Sequence, residues 1–331
     1  MRLVQIRKGQ ERRVAMVDEP KLRLLGGCSS IYELANAAIG AARKLADAAR
    51  ERLTFDTLEY DPIYAGRSDW RLLPAMDHPI EPARCLVSGT GLTHIGSARG
   101  RQSMHATAEE SVTDSLRMFQ WGVKGGCPAD GCIGTSPEWF HKGTGISVRA
   151  HGEALTVPAY ALDGGEEAEV AAVYVISADG APYRVGMASG NEFSDHQLEK
   201  MNYLYLASSK MRECAIGPEL VLDPNFSSVA AKVAIERSGR KQWSRQFLTG
   251  EANMCHSVRN MEHHLFKFGA HRRPGDVHIH FFGTDALSYS DGLRLEDGDI
   301  MQIEFEGFGR ALRNAVSVDR SAQQFVRVNY L

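Results

Sequence analysis

The stretch EEAEVAAVYVISADGAPYRVGMASGNEFSD, residues 166–195, decides how this chain is read. From Glu167 to Ile176 it is rich in Val and Ala with a β-branched run, which predicts a strand. Side chains on a strand alternate faces at about 3.3 Å per residue, so Glu167 and Glu169 point the same way with α-carbons roughly 7 Å apart. Ala168, Val170 and Ala172 take the other face. A short turn at 178–182 sends the chain back, and the returning segment ends at Asn191-Glu192. Two carboxylates on one strand and a third at the mouth of its neighbour converge on one hard cation. Oxygen donors of this kind favour Mg²⁺, Mn²⁺ or Ca²⁺ over zinc, and three of them leave an octahedral ion about three positions for water or substrate. Taken alone, Glu-x-Glu on a strand is more often a solvated face; the rest of the chain has to decide.

Working outward, the bulk composition excludes several classes. With 331 residues the chain makes one large domain or two. Its 43% hydrophobic and 24% charged residues supply an ordinary globular core. A net charge of −3 and the lack of a basic block give no reason to expect nucleic acid or an anionic membrane as partner. No apolar run is long enough to span a bilayer. The opening MRLVQIRKGQERR lacks the apolar segment of a secretory signal. Six scattered cysteines, only Cys127 and Cys132 close in sequence, read as reduced thiols in a cytoplasmic protein rather than a zinc site.

Residues 1–80 read as a small leading domain, and 81–331 as the domain that carries the chemistry. Two short strand-like runs flank the turn at Gly9. Ser30 and Glu33 have capping-box spacing and open a helix with Ile31, Leu34, Ala38, Ala42, Leu45 and Ala49 on one stripe. Gly66, Pro74, Pro79 and Pro82 mark a linker. A strand at 85–87 then runs into Ser88-Gly-Thr-Gly91 and His94. A helix over 101–125 has its own capping spacing, Thr107 to Glu110, with Val112, Leu116 and Phe119 on one face; its Gly-rich flanks suit a lid. Glu138 and Lys142 are ionisable residues in an aromatic patch. After Asp195 a helical run carries Leu198, Met201, Leu204, Ala207 and Met211, leading to Lys210 and Gly217-Pro218. His278 and His280 share a strand face and read as core residues, since no third nitrogen ligand is clustered with them.

In this order the pieces resemble the fumarylacetoacetase family. The resemblance runs from the Glu138 segment to Asn314. It rests on Glu167-Ala-Glu169 before a hydrophobic run, Gly186 to Asn191-Glu192, Lys210 before Gly217-Pro218, Pro274-Gly-Asp276 with Gly283-Thr284, and Gly307-Phe-Gly309 with Arg313-Asn314. Hydrolases of the family carry a His and a Glu that activate water; after His94 the sequence Ile-Gly-Ser-Ala98 offers no such Glu. Glu192 stands where the family usually has Asp. These departures resemble the sugar-acid branch, the 2-keto-3-deoxypentonate dehydratases.

The resemblance implies an α+β fold, with a small N-terminal domain and a mixed β-sandwich or roll holding the metal. It implies Glu167, Glu169 and Glu192 as ligands of Mg²⁺ or Mn²⁺, Glu138 and Lys210 as catalytic groups, and Lys142, Thr284 and His94 as substrate contacts. Glu110 joins His94 as a reserve on the lid. The implied reaction is dehydration of a 2-keto-3-deoxypentonate to 2,5-dioxopentanoate through an enolate stabilised by the metal. The alternative is hydrolysis of acylpyruvates or other 2,4-diketo acids. The expected partner is the small 2-keto acid substrate, with a homodimer or higher assembly.

Overall fold

The computed structural model describes residues 1–105 and 113–331. Thr107, Glu110 and Val112, and with them the capping pattern and the reserve lid residue, lie outside the described residues.

The strand Ala168–Ile176 is buried at all 9 of its positions and forms the centre of a 13-stranded sheet. It pairs antiparallel with Pro182–Asn191 on one side and with Val277–Phe281 on the other. Beyond Val277–Phe281 lie Cys85–Gly89, which runs parallel to it, and then Phe140–Thr144. In the other direction Leu220–Val221 joins Arg2–Lys8, followed by Glu11–Asp18, Lys21–Leu25 and Leu53–Glu59. A second sheet has 5 strands, in the order Arg240–Thr249, Val229–Arg237, Ile300–Phe305, Leu312–Val318 and Leu155–Val157. Both sheets mix parallel and antiparallel pairs, as in an α+β fold.

Burial on both faces explains why the central strand reads as a continuous apolar run. Val170, Ala172, Tyr174 and Ile176 pack into the core shared with Ala231, Val233, Met301 and Ile303 of the second sheet. Ala171, Val173 and Val175 pack on the opposite side with Leu34, Ala35 and Ala38 of the helix Ile31–Gly40. Glu167 and Glu169 continue that second row in sequence. They occupy the end where the apolar row stops, so a hydrophobic strand delivers two carboxylates to one place. The N-terminal strands belong to the same large sheet through the pairing of Leu3 with Leu220.

Three predicted helices are divided. Ser30 caps the first as expected, accepting from Glu33 N, but that helix ends at Gly40 and a second begins at Leu45. Ala42 between them takes φ 52°, a left-handed conformation that no helix continues through. The run after Asp195 divides into His196–Met201, a 3₁₀ turn at Tyr203–Tyr205 and Leu206–Lys210. Asn202 causes the break, since its side chain caps the following turn by accepting from Leu204 N. Met201, Leu204 and Met211 are exposed as a result, not buried on a common stripe. The region expected to hold one helix over 101–125 holds two, Ile95–His105 and Asp114–Gly125, the second capped by Thr113.

Candidate metal centre and active site

Glu169 leaves the central strand, Glu167 immediately precedes it, and Glu192 follows the returning strand. The register places Ala168 opposite Asn191 and Glu169 opposite Gly190, so the hairpin brings the three carboxylates together. One oxygen from each lies within 4.8 Å of the others, and all three residues are buried.

Two lysines face this cluster. Lys210 Nζ lies 2.5 Å from Glu167 Oε1, 2.6 Å from Glu192 Oε2 and 3.0 Å from Ser194 Oγ. Lys142 Nζ meets the other oxygen of Glu192 at 2.6 Å. His196 Nε2 lies 3.0 Å from Glu167 Oε1, while its Nδ1 is buried without a partner among the described residues. Glu169 accepts from Gly283 N–H at 2.7 Å. Gly165 is required here, because a Cβ on it would come within 2.2 Å of His196 Nδ1.

The electrostatics differ from one carboxylate to the next. Burial would raise the Glu167 carboxyl, but Lys210 and His196 outweigh it and hold the group well below its ordinary pKa. Burial, with Glu192 and Glu167 adding repulsion, pushes Glu169 well above it. Burial would also lower Lys210, yet Glu167 and Glu192 keep it protonated. Lys142 is shifted down because burial exceeds its attraction to Glu192. The donor set fits a hard divalent cation: three oxygen ligands crowded enough to repel one another, with no sulfur or imidazole nitrogen needed. Such an ion would relieve the repulsion that raises Glu169.

Glu167 and Glu169 open onto a cavity of about 30 Å³, room for about a water or two. Its wall includes Gly91, Arg101, Phe140, Glu167, Glu169, His196, Glu199, Lys210 and Thr284. Glu138 sits directly behind it. A Cβ on Gly91 would fall 1.9 Å from Glu138 Oε2, so only glycine lets this carboxylate approach the wall. That Oε2 is buried without a partner among the described residues, while Oε1 accepts from Arg101 at 2.6 Å and from Tyr203 at 3.3 Å. Arg101 also meets Glu199 Oε1 at 2.7 Å.

Lys142 and His94 stand outside the wall because their polar atoms are already engaged. Besides Glu192, Lys142 donates to the carbonyls of Phe193 and Lys210. His94 holds Thr93 Oγ1 at 2.8 Å and Thr249 Oγ1 at 3.0 Å, and burial lowers its pKa to about 4. Conversely, the wall contains Arg101, His196 and Glu199, which sequence reasoning missed. His196 and Glu199 are three residues apart on one short helix, directly after the capping Asp195; that spacing was the available signal.

With this geometry in place, comparison with solved structures decides the fold. A structure of 2-keto-3-deoxyarabinonate dehydratase superimposes with a TM-score of 0.72 at 21% identity, covering 97% of this chain and 100% of that one. The two chains share one fold over almost their whole lengths. The same enzyme, as 2-keto-3-deoxy-D-arabinonate dehydratase complexed with magnesium and 2,5-dioxopentanoate, gives a TM-score of 0.71 at 20% identity over the same shares. A 5-carboxymethyl-2-hydroxymuconate delta-isomerase from Mycobacterium smegmatis follows at 0.57 and 18%, again over 97% and 100%. Among curated proteins, a Haloferax volcanii protein named "Probable 2-keto-3-deoxyxylonate dehydratase" is 31% identical over 140 residues, 40% of this chain. The match spans 45% of that relative's length. No protein-family model matches the chain. The resemblance carried by the sequence motifs is therefore met in the fold, and the dehydratase structures match more closely than the isomerase.

Proposed function

We propose that the protein is a Mg²⁺- or Mn²⁺-dependent hydro-lyase that converts a 2-keto-3-deoxypentonate to 2,5-dioxopentanoate. The observation that carries this reading is the convergence of Glu167, Glu169 and Glu192 within 4.8 Å, with Lys210 beside them. The dehydratase complex with magnesium and 2,5-dioxopentanoate supports the choice of ion and product.

Glu167, Glu169 and Glu192 hold the cation, which supplies Lewis-acid polarisation of the substrate's 2-keto group. Lys210 turns its ammonium toward the substrate carboxylate or the C2 oxygen and stabilises charge as it develops there. Glu138 is the proton carrier, and its partner-free Oε2 is the atom that receives the C3 proton. Loss of that proton and of the C4 hydroxyl, which leaves as water, gives the 3,4-unsaturated keto acid. Transfer of a proton from C5 to C3 gives an enol, and its tautomerisation at C4 and C5 produces the aldehyde. Thr284 contacts substrate from the wall. Lys142 acts by fixing Glu192, and His94 by fixing Thr93 and Thr249 behind the site.

A cavity of about 30 Å³ is too small for a five-carbon acid. Entry of substrate therefore requires some movement of the wall. In this reading residues 1–80 extend the sheet and 81–331 hold the chemistry, in a homodimer or larger cytoplasmic assembly. Exposed Met201, Leu204 and Met211 support such an assembly. The test is direct: incubation of a 2-keto-3-deoxypentonate with Mg²⁺ should give a new aldehyde that a chelator suppresses. Pyruvate release from an acylpyruvate, with the deoxypentonate untouched, would replace this reading with a hydrolase.

A further inference from the structure

A separate cavity of about 830 Å³ lies between the N-terminal strands and the five-stranded sheet, and it shares no wall residue with the glutamate cavity. Arg7, Arg71, Arg313, Tyr64, His151 and Asn314 contribute to its wall. Arg7 and Arg71 stand directly opposite each other in the pairing of Arg2–Lys8 with Arg71–Leu72. Like charges in that position repel, yet neither guanidinium has an acidic partner among the described residues; Arg71 makes only a 3.4 Å contact to Trp70 O. Glu153, the one carboxylate in the wall, accepts from Ala150 N–H at 2.7 Å. Arg313 is already paired with Glu236 at 2.8 Å.

An independent feature points to a ligand. Asn314 is 1% exposed. Its Nδ2 donates to the carbonyls of Ala150 and Glu153 at 2.9 and 2.8 Å, which fixes the amide orientation. Its Oδ1 is left buried without a donor among the described residues, a state that is rare for buried polar atoms. Beside it the His151 ring stacks on Tyr64 at 4.1 Å, and its Nε2 lies 3.1 Å from Tyr64 O.

We propose that this cavity binds a small hydroxylated anion, a sugar phosphate or sugar acid. Arg7 and Arg71 take the charged group, and Asn314 Oδ1 accepts a hydrogen bond from a hydroxyl. Two unpaired guanidiniums suit a phosphate or carboxylate because each can offer paired N–H donors. The stacked Tyr64 and His151 rings offer an apolar surface to the carbon skeleton.

The experiment is calorimetric titration of the full chain with D-ribose 5-phosphate, D-ribonate, inorganic phosphate and D-ribose, repeated on R7A/R71A and on R71E. At least one hydroxylated anion should bind once per chain with Kd below about 1 mM, more tightly than inorganic phosphate, and D-ribose should not bind. The stronger of ribose 5-phosphate and ribonate identifies the anionic group. Binding should weaken at least tenfold in R7A/R71A and vanish in R71E, with Mg²⁺-dependent turnover unchanged in both. Equal binding by the variants, no binding by either hydroxylated anion, or a changed oligomeric state in R7A/R71A would overturn the proposal; the last result would make these arginines an interface between copies.

Discussion

Arg101 donates to Glu138 Oε1 across 2.6 Å from a different element of the fold, the helix Ile95–His105, and both side chains are at least nine-tenths buried. The same guanidinium holds Glu199 at 2.7 Å, so one cation bridges two buried carboxylates beside the metal cluster. Removing one partner of such a pair leaves an uncompensated buried charge and typically costs about 3–5 kcal/mol. Arg101→Met should therefore lower stability by that order in urea unfolding and reduce turnover as well. A loss below about 1 kcal/mol, the range of exposed pairs, would show that the two carboxylates do not depend on Arg101.

Lys210 carries a kinetic prediction. Lys210→Met removes the ammonium that joins Glu167 and Glu192. Turnover or kcat/KM should fall more than tenfold, about 1.4 kcal/mol of transition-state stabilisation. Steady-state kinetics within a factor of two of the parent would remove Lys210 from the catalytic account.

The metal assignment can be read without activity. Mg²⁺ at 100 times its Kd should stabilise the native chain by about 2.7 kcal/mol, visible as a rise in Tm. Glu169→Gln takes away one ligand charge, so the rise should disappear while the metal-free fold persists. An equal Mg²⁺-induced shift in that variant would place the ion elsewhere.

Much of this site was legible in the sequence, because period-two alternation and the turn at 178–182 fix how residues 167, 169 and 192 meet. Arg101 was not, since it arrives from a helix more than sixty residues before the metal strand, and no local pattern announces its two partners. His196 and Glu199 were hidden for another reason: the apolar spacing of Leu198, Met201 and Leu204 drew attention to a stripe that Asn202 breaks. The first helix shows the same limit. Ala42 fits helical periodicity, and only its backbone conformation reveals the break.

His280 provides a pH prediction. Its ring nitrogens each lie 2.8 Å from a hydroxyl, of Ser88 and of Thr90, and burial lowers its pKa to about 3. The folded pKa is below the unfolded value of about 6.5, so the unfolded chain binds more protons between these limits. The stability this residue contributes is present above pH about 6.5 and is lost as pH falls toward about 3. Carboxyls raised by burial, such as Glu166, act in the opposite direction on the total, so the test is a comparison with His280→Gln. The Tm gap between native protein and variant should be widest above neutrality and close on acidification. A gap independent of pH would contradict a neutral buried His280.

The most direct test of the dehydratase account is proton NMR of turnover in deuterated water. With Mg²⁺ present, a 2-keto-3-deoxypentonate should give 2,5-dioxopentanoate carrying deuterium at C3 and C4, with no pyruvate. Glu138→Gln should suppress that turnover and keep the Mg²⁺-induced rise in Tm. Release of pyruvate from acylpyruvates, no aldehyde from the deoxypentonate, or undiminished turnover in Glu138→Gln would contradict it.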